Sequence, residues 1–156
     1  MKKSEMKAAL DALKRIKMPA IADKPLRNGI INTHLALLRE QRRFEKELAD
    51  LETAHLGAFK DEREALAKLQ REMSAEKDAA KREAIAEKIN GFTALYDAWE
   101  GYQKAVEELA KQTVEVAGIP QDAFVAEIQK QDFDLAQIEA LYPLFIEANE
   151  TKTKKK

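Results

Sequence analysis

The sequence predicts an all-α protein: a long antiparallel helical hairpin, coiled-coil-like, with an N-terminal helix and two short C-terminal helices packed at its open end. Three observations predict it. The chain is rich in the helix formers Ala, Glu, Lys, Leu and Gln, with 35 % charged and 6 % aromatic residues. Between positions 24 and 73, apolar side chains recur at three- and four-residue steps: Leu26, Ile30, Leu37, Phe44, Leu48, Leu51, Phe59, Leu66, Leu69 and Met73. That spacing puts them on one stripe of a helix. After a polar break the stripe resumes at Ile85, Ile89, Phe92, Leu95, Trp99, Tyr102, Val106 and Leu109, so a second helix returns along the first.

In chain order, Ser4 can cap a first helix over 4–17, with Met6, Leu10, Leu13 and Ile16 on one face. It must end before Pro19, because the residue ahead of a proline is pushed out of the helical region. Asp23 then stands where an N-cap belongs and Pro25 close to the first helical position, where its missing N–H costs nothing. The long helix therefore covers 24–74, roughly 75 Å at the α-helical rise. Its heptad phase slips by one residue at Gly57, which marks either a stripe curving around its partner or a kink.

Ser74 or Asp78 can cap the next helix, over 79–111. That arm is shorter and leaves Ile30, Leu37 and Leu38 of the first arm without cover. Thr113 to Val116 reads as an extended connector with no evident partner strand. Two short helices follow, over 120–131 with Phe124, Val125 and Ile128, and over 135–147 with Leu135, Ile138, Leu141, Leu144 and Phe145 after a cap at Asp134. Pro143 interrupts or kinks the last one. Residues 1–150 form a single domain in this reading, and 151–156 a basic tail without packing of its own.

Charge is distributed unevenly. Residues 1–46 carry +7, residues 47–150 carry −12 and the tail +4; residues 112–150 alone carry −7. The acidic, apolar C-terminal helices are expected to dock on the basic, uncovered end of the long helix. Intramolecular pairing would then engage the basic cluster of Arg39, Arg42, Arg43 and Lys46, which otherwise offers a phosphate-contacting surface to nucleic acid.

The absence of Cys excludes disulfides, thiolate metal sites and cysteine nucleophiles. No apolar run approaches the roughly 18 residues of a membrane span, and the charged opening Met1-Lys2-Lys3-Ser4-Glu5 lacks a signal core. A cytoplasmic protein is expected. Neither a glycine-rich phosphate loop nor a Ser/His/Asp set is present, so neither enzyme activity nor a cofactor is expected. Glu52-x-x-His55 is half of a di-iron carboxylate signature. The other histidine, His34, lies about 31 Å away along the same helix, so Glu52 and His55 are weak metal candidates. Trp99 and Tyr102 fall at core spacing, while Tyr96 and Phe133 are candidates for contact with a protein partner.

The opening helix with Leu10, Leu13 and Ile16, Arg27 near the start of the second helix, the long charged hairpin, and the closing run from Ile138 to Phe145 together resemble short helical proteins encoded by phages and prophages, of uncharacterised function. The resemblance implies a phage or mobile-element setting, with virion association if the gene is a phage one. It transfers no catalytic residue. The expectation is a non-enzymatic interaction protein, acting through protein–protein contacts of the hairpin or self-association.

Overall fold

The computed structural model describes residues 1–146. Its fold is all-α. The helices are α1 (Met6–Leu13), α2 (Lys24–Leu56), α3 (Lys60–Ala75), α4 (Ala79–Asn90), α5 (Thr93–Lys111), α6 (Gln121–Ile128) and α7 (Leu135–Leu141), with two-residue strands β1 (Ile119–Pro120) and β2 (Phe145–Ile146) pairing in parallel. The chain divides into two compact units, one of residues 1–45 with 110–146, the other of residues 46–109.

In the first unit α1 packs on α7. Fifteen buried apolar residues form one cluster, among them Met6, Leu10 and Leu13 of α1, Leu26, Ile30 and Leu37 of α2, Phe124 and Ile128 of α6, and Leu141 and Leu144. The stripe on the proximal part of α2 is therefore covered by the first helix and the C-terminal segment, as the sequence requires. Phe133, Leu38 and Phe44 pack at the cluster's edge, so Phe133 is a core-margin residue. Thr33 is fully buried on α2, and its hydroxyl donates to the Ala117 carbonyl at 2.7 Å, which removes the cost of burying it.

The first helix is shorter than expected. Ser4 lies inside a 3₁₀ turn (Lys3–Glu5) and does not cap; the Glu5 carboxylate instead accepts from the Lys2 backbone N–H at 2.7 Å. α1 stops at Leu13, well before Pro19, and the bonds Arg15 N–H to Ala12 O and Ile16 N–H to Leu13 O wind the last turn tighter, keeping Ile16 buried. The expected N-cap at Asp23 is present: its Oδ1 accepts from Leu26 N–H at 3.1 Å.

The segment around Thr113 is not an unpaired connector. Lys2 and Thr113 form an antiparallel bridge, with Lys3 N–H donating to Gln112 O and Val114 N–H to Met1 O. Such pairing between distant segments leaves no local signature. α6 and α7 end earlier than expected, at Ile128 and Leu141, and a 3₁₀ turn (Tyr142–Leu144) containing Pro143 leads into β2. Asp134 and Gln137 close a reciprocal capping box at the start of α7. The expected tail, 151–156, and the end of the helix placed over 135–147 lie outside the described residues.

The second unit contains the end of α2, α3, α4 and α5. The expected long helix is present as a continuous helical run over 24–75, within which a 3₁₀ turn (Gly57–Phe59) joins α2 to α3, entered at Leu56 with φ −117° and left at Phe59 with φ −106°, ψ 27°. The slip in the heptad thus marks a local interruption rather than uniform curvature. Asp78 caps α4 by accepting from Lys81 N–H at 3.0 Å, whereas Ser74 remains helical and bonds back to Gln70 O. The returning arm, expected as one helix, breaks at Gly91, a poor helix former. Two short-range bonds, Gly91 N–H to Lys88 O and Phe92 N–H to Ile89 O, replace the regular ladder, and the Tyr96 hydroxyl donates to Ile89 O at 2.7 Å.

Candidate interaction surfaces

The hairpin of α3 and α4 buries no residue completely. Leu66, Leu69 and Met73 on α3 and Ile85 and Ile89 on α4 are all half-buried. Two helices in contact cover only part of each other's apolar stripe, so this is the state a two-stranded hairpin reaches alone. Residues 60–90 carry eight basic and eight acidic side chains, a net charge of zero.

An aromatic group lies within the same unit, where α5 meets the end of α2. The Trp99 and Tyr102 rings are 5.8 Å apart and tilted at 56°, and Tyr102 lies 6.4 Å from the His55 ring. A Cβ on Gly101 would come to 3.3 Å from His55 Nδ1, so the glycine admits the imidazole against α5. Trp99, expected in the core, is 42 % exposed. Tyr96 is exposed as expected, but its hydroxyl is engaged with Ile89. Leu56 and Leu95 nearby are buried.

Glu52 and His55 do not converge on a shared centre. The Glu52 Oε1 accepts from Arg63 at 3.2 Å, an ion pair that spans the break at Gly57, while His55 faces Gly101 and Tyr102. Among the described residues no group of three His, Cys, Asp or Glu side chains is placed to hold a metal ion.

The basic cluster behaves differently from the expectation of intramolecular pairing with 112–150. Arg43 pairs with Glu40, one turn earlier on its own helix, at 2.6 Å. Arg39, Arg42 and Lys46 are exposed, and among the described residues they have no ion-pair partner. The C-terminal cover of α2 is apolar packing, and the acids of that segment face elsewhere. Glu115, Asp122, Asp132, Asp134 and Glu139 are exposed, while Glu127 is largely buried and pairs with Lys130 on its own segment at 3.1 Å.

Beside this stripe, the end of α1 and the start of α2 border an open groove of about 220 Å³ lined by Leu13, Ile16, Met18 and Ile30, with Lys14 and His34 also lining it. Ile31 and Leu35 form its outer wall and remain 42 % and 48 % exposed. On α7, Leu135 is 77 % exposed and Tyr142 71 %. Leu135 is expected on the buried face, but it is the first residue of α7, where it is 77 % exposed, and the helix turns Leu141 inward instead. The sequence gives no sign of these four exposed apolar residues, because each belongs to a segment with more apolar positions than one buried stripe accommodates.

Ion pairs on the solvent face are local. Hydrogen bonds from Lys7 and Lys14 hold the Asp11 carboxyl below its ordinary pKa. On α5 a hydrogen bond from Lys104 does the same to Glu100, and Lys104 is raised in return. No helix among the described residues is long and apolar enough to cross a membrane. No protein family, curated protein or solved structure matches this chain.

Proposed function

We propose that this chain is a non-enzymatic interaction protein whose α3–α4 hairpin associates with the same hairpin of a second copy. One observation carries the reading: α3 and α4 together bury no residue, although their apolar residues recur at helical spacing along the full hairpin. A second hairpin would complete a four-helix arrangement with coiled-coil-like packing and cover Leu66, Leu69, Met73, Ile85 and Ile89. The zero net charge of residues 60–90 means that two copies meet without electrostatic repulsion. The sequence pattern that resembles phage- and prophage-encoded helical proteins supplies the setting we propose, and genomic neighbourhood tests it.

Light scattering coupled to size-exclusion chromatography tests the association. A concentration-dependent dimer is expected, with an unfolding temperature that rises with protein concentration because association stabilises the folded chain. Met73→Glu and Ile85→Glu are expected to weaken it at unchanged helical content by circular dichroism. A monomer at high concentration overturns the reading.

A further inference from the structure

The first unit carries two exposed apolar surfaces of opposite electrostatic character. On α2, Ile31, Leu35, Arg39 and Arg42 follow one another at steps of four, four and three, which places them on one solvent-facing stripe. Ile31 and Leu35 wall the 220 Å³ groove, and Lys14 and His34 also line it. Arg39 and Arg42, one and two turns further on, have no ion-pair partner among the described residues.

On α7 and the turn after it, Leu135, Glu139 and Tyr142 repeat the pattern at steps of four and three. Tyr142 keeps helical backbone angles, φ −51° and ψ −42°, so the three share one face. All three are exposed, and Glu139 has no ion-pair partner among the described residues. The order along each stripe is the same: an aliphatic side chain, a charge one turn later, and a third group three residues beyond. The charges are opposite.

We infer that the α7 stripe of one copy docks on the α2 stripe of another, with Leu135 entering the groove walled by Ile31 and Leu35, Glu139 pairing with Arg39, and Tyr142 stacking on the Arg42 guanidinium. Each contact answers a specific exposed group. Leu135 leaves water for a groove whose lining is mostly apolar, with Lys14 and His34 beside it. Arg39 and Glu139 gain a partner that neither has among the described residues. The Tyr142 face and a guanidinium attract through the ring quadrupole. Charge complementarity also selects the partner: basic stripe against basic stripe, or acidic against acidic, would repel. This surface lies in the first unit and is independent of the α3–α4 hairpin.

Two variants and their mixture test it by sedimentation velocity. Leu35→Asp damages the receiving stripe and Leu135→Asp the inserting one, both at exposed positions. Each alone is expected to weaken this step at least tenfold. An equimolar mixture restores it, because the intact α7 stripe of one variant meets the intact α2 stripe of the other. The hairpin step persists in both variants, so its failure would change the starting size and not the complementation. Arg39→Glu and Glu139→Arg give the same test by charge, with the mixture again stronger than either alone, and high salt weakening the wild-type step. Variants that sediment as the wild type, or a mixture no larger than its components, overturn the inference. So does duplex DNA binding that is lost on Arg39→Glu while assembly is unchanged, which would assign the stripe to phosphate contacts instead.

Discussion

The two units use the same kind of sequence to different degrees of closure. In the first, three separate segments converge on α2, and fifteen apolar residues are buried in one cluster. In the second, α3 lies against α4 and α5 against the end of α2, and only Leu56, Leu95 and Leu109 are buried. Two helices lying side by side shield one side of each. Closure takes further segments packed over the same stripe, as α1, α6 and α7 are over α2 in the first unit. The difference teaches what each arrangement buries: the first unit holds a closed apolar core, and the second leaves its apolar stripe half-exposed.

Large-to-small substitutions should expose that difference most strongly. Leu37 is fully buried, and Leu37→Ala is expected to cost about 2–5 kcal/mol through lost burial and a residual cavity. Leu69 on α3 is half-buried, and Leu69→Ala is expected to cost about 1 kcal/mol or less in a monomeric sample. Urea denaturation of both variants measures this. Equal costs would show that the second unit is closed after all, either by self-association or by packing tighter than its exposure indicates.

Next in size is Gly118→Ala, at the point where β1 and β2 bring two segments of the first unit together. The added methyl would lie 2.3 Å from Ile146 Cγ2 and 3.2 Å from the Leu144 carbonyl oxygen. The Ile146 side chain can turn away, but the Leu144 backbone cannot without disturbing the strand pair. A loss of about 1–3 kcal/mol is expected. The same substitution at Gly57 in the second unit has the opposite sign. There a Cβ would meet Thr53 Cγ2 at 3.6 Å, an ordinary contact, and the backbone carries no positive φ. Gly57→Ala is therefore expected to stabilise by about 0.4–1 kcal/mol through a less flexible unfolded chain. Destabilisation by Gly57→Ala would mean that the break between α2 and α3 depends on glycine for more than helix propensity.

What was legible in the sequence follows the same division. The helical class, the N-cap at Asp23, a cap at Ser74 or Asp78, of which the structure uses Asp78, and the covering of Ile30 and Leu37 by the first and last segments are readable from periodicity, caps and charge. The slipped heptad at Gly57 is compatible with curvature or a kink, and the structure has the α2–α3 break there. The bridge between Lys2 and Thr113 and the β1–β2 pair were not legible, since two-residue pairings between remote segments depend on the finished fold. Nor was the exposure of Leu135 and Trp99. Periodicity reports which residues share a face and is silent on whether anything covers it. The candidate surfaces fare accordingly: Arg39 and Arg42 were identified from charge, whereas the apolar residues beside and opposite them required the structure.

The smallest expected effect concerns surface charge, where the two units should behave alike. In the first, Lys7 and Lys14 depress the Asp11 pKa; in the second, Lys104 depresses that of Glu100. A carboxyl depressed by folding contributes stability above its unfolded pKa and loses it as pH falls through the lower folded value. Lys104, raised by folding, contributes below its unfolded pKa and loses that contribution as pH climbs through the raised value. All of these groups face water, so screening keeps the contributions small. NMR titration is expected to place the Asp11 midpoint below the ordinary carboxylate range, with Lys7→Ala and Lys14→Ala each moving it back. A normal midpoint in the parent protein would remove the pairing. Because acid weakens one such pair in each unit, surface ionisation gives no reason for either unit to unfold first. If α3 and α4 nonetheless lose amide protection before α1 and α7 on acidification, the order must come from the interiors, where the two units differ.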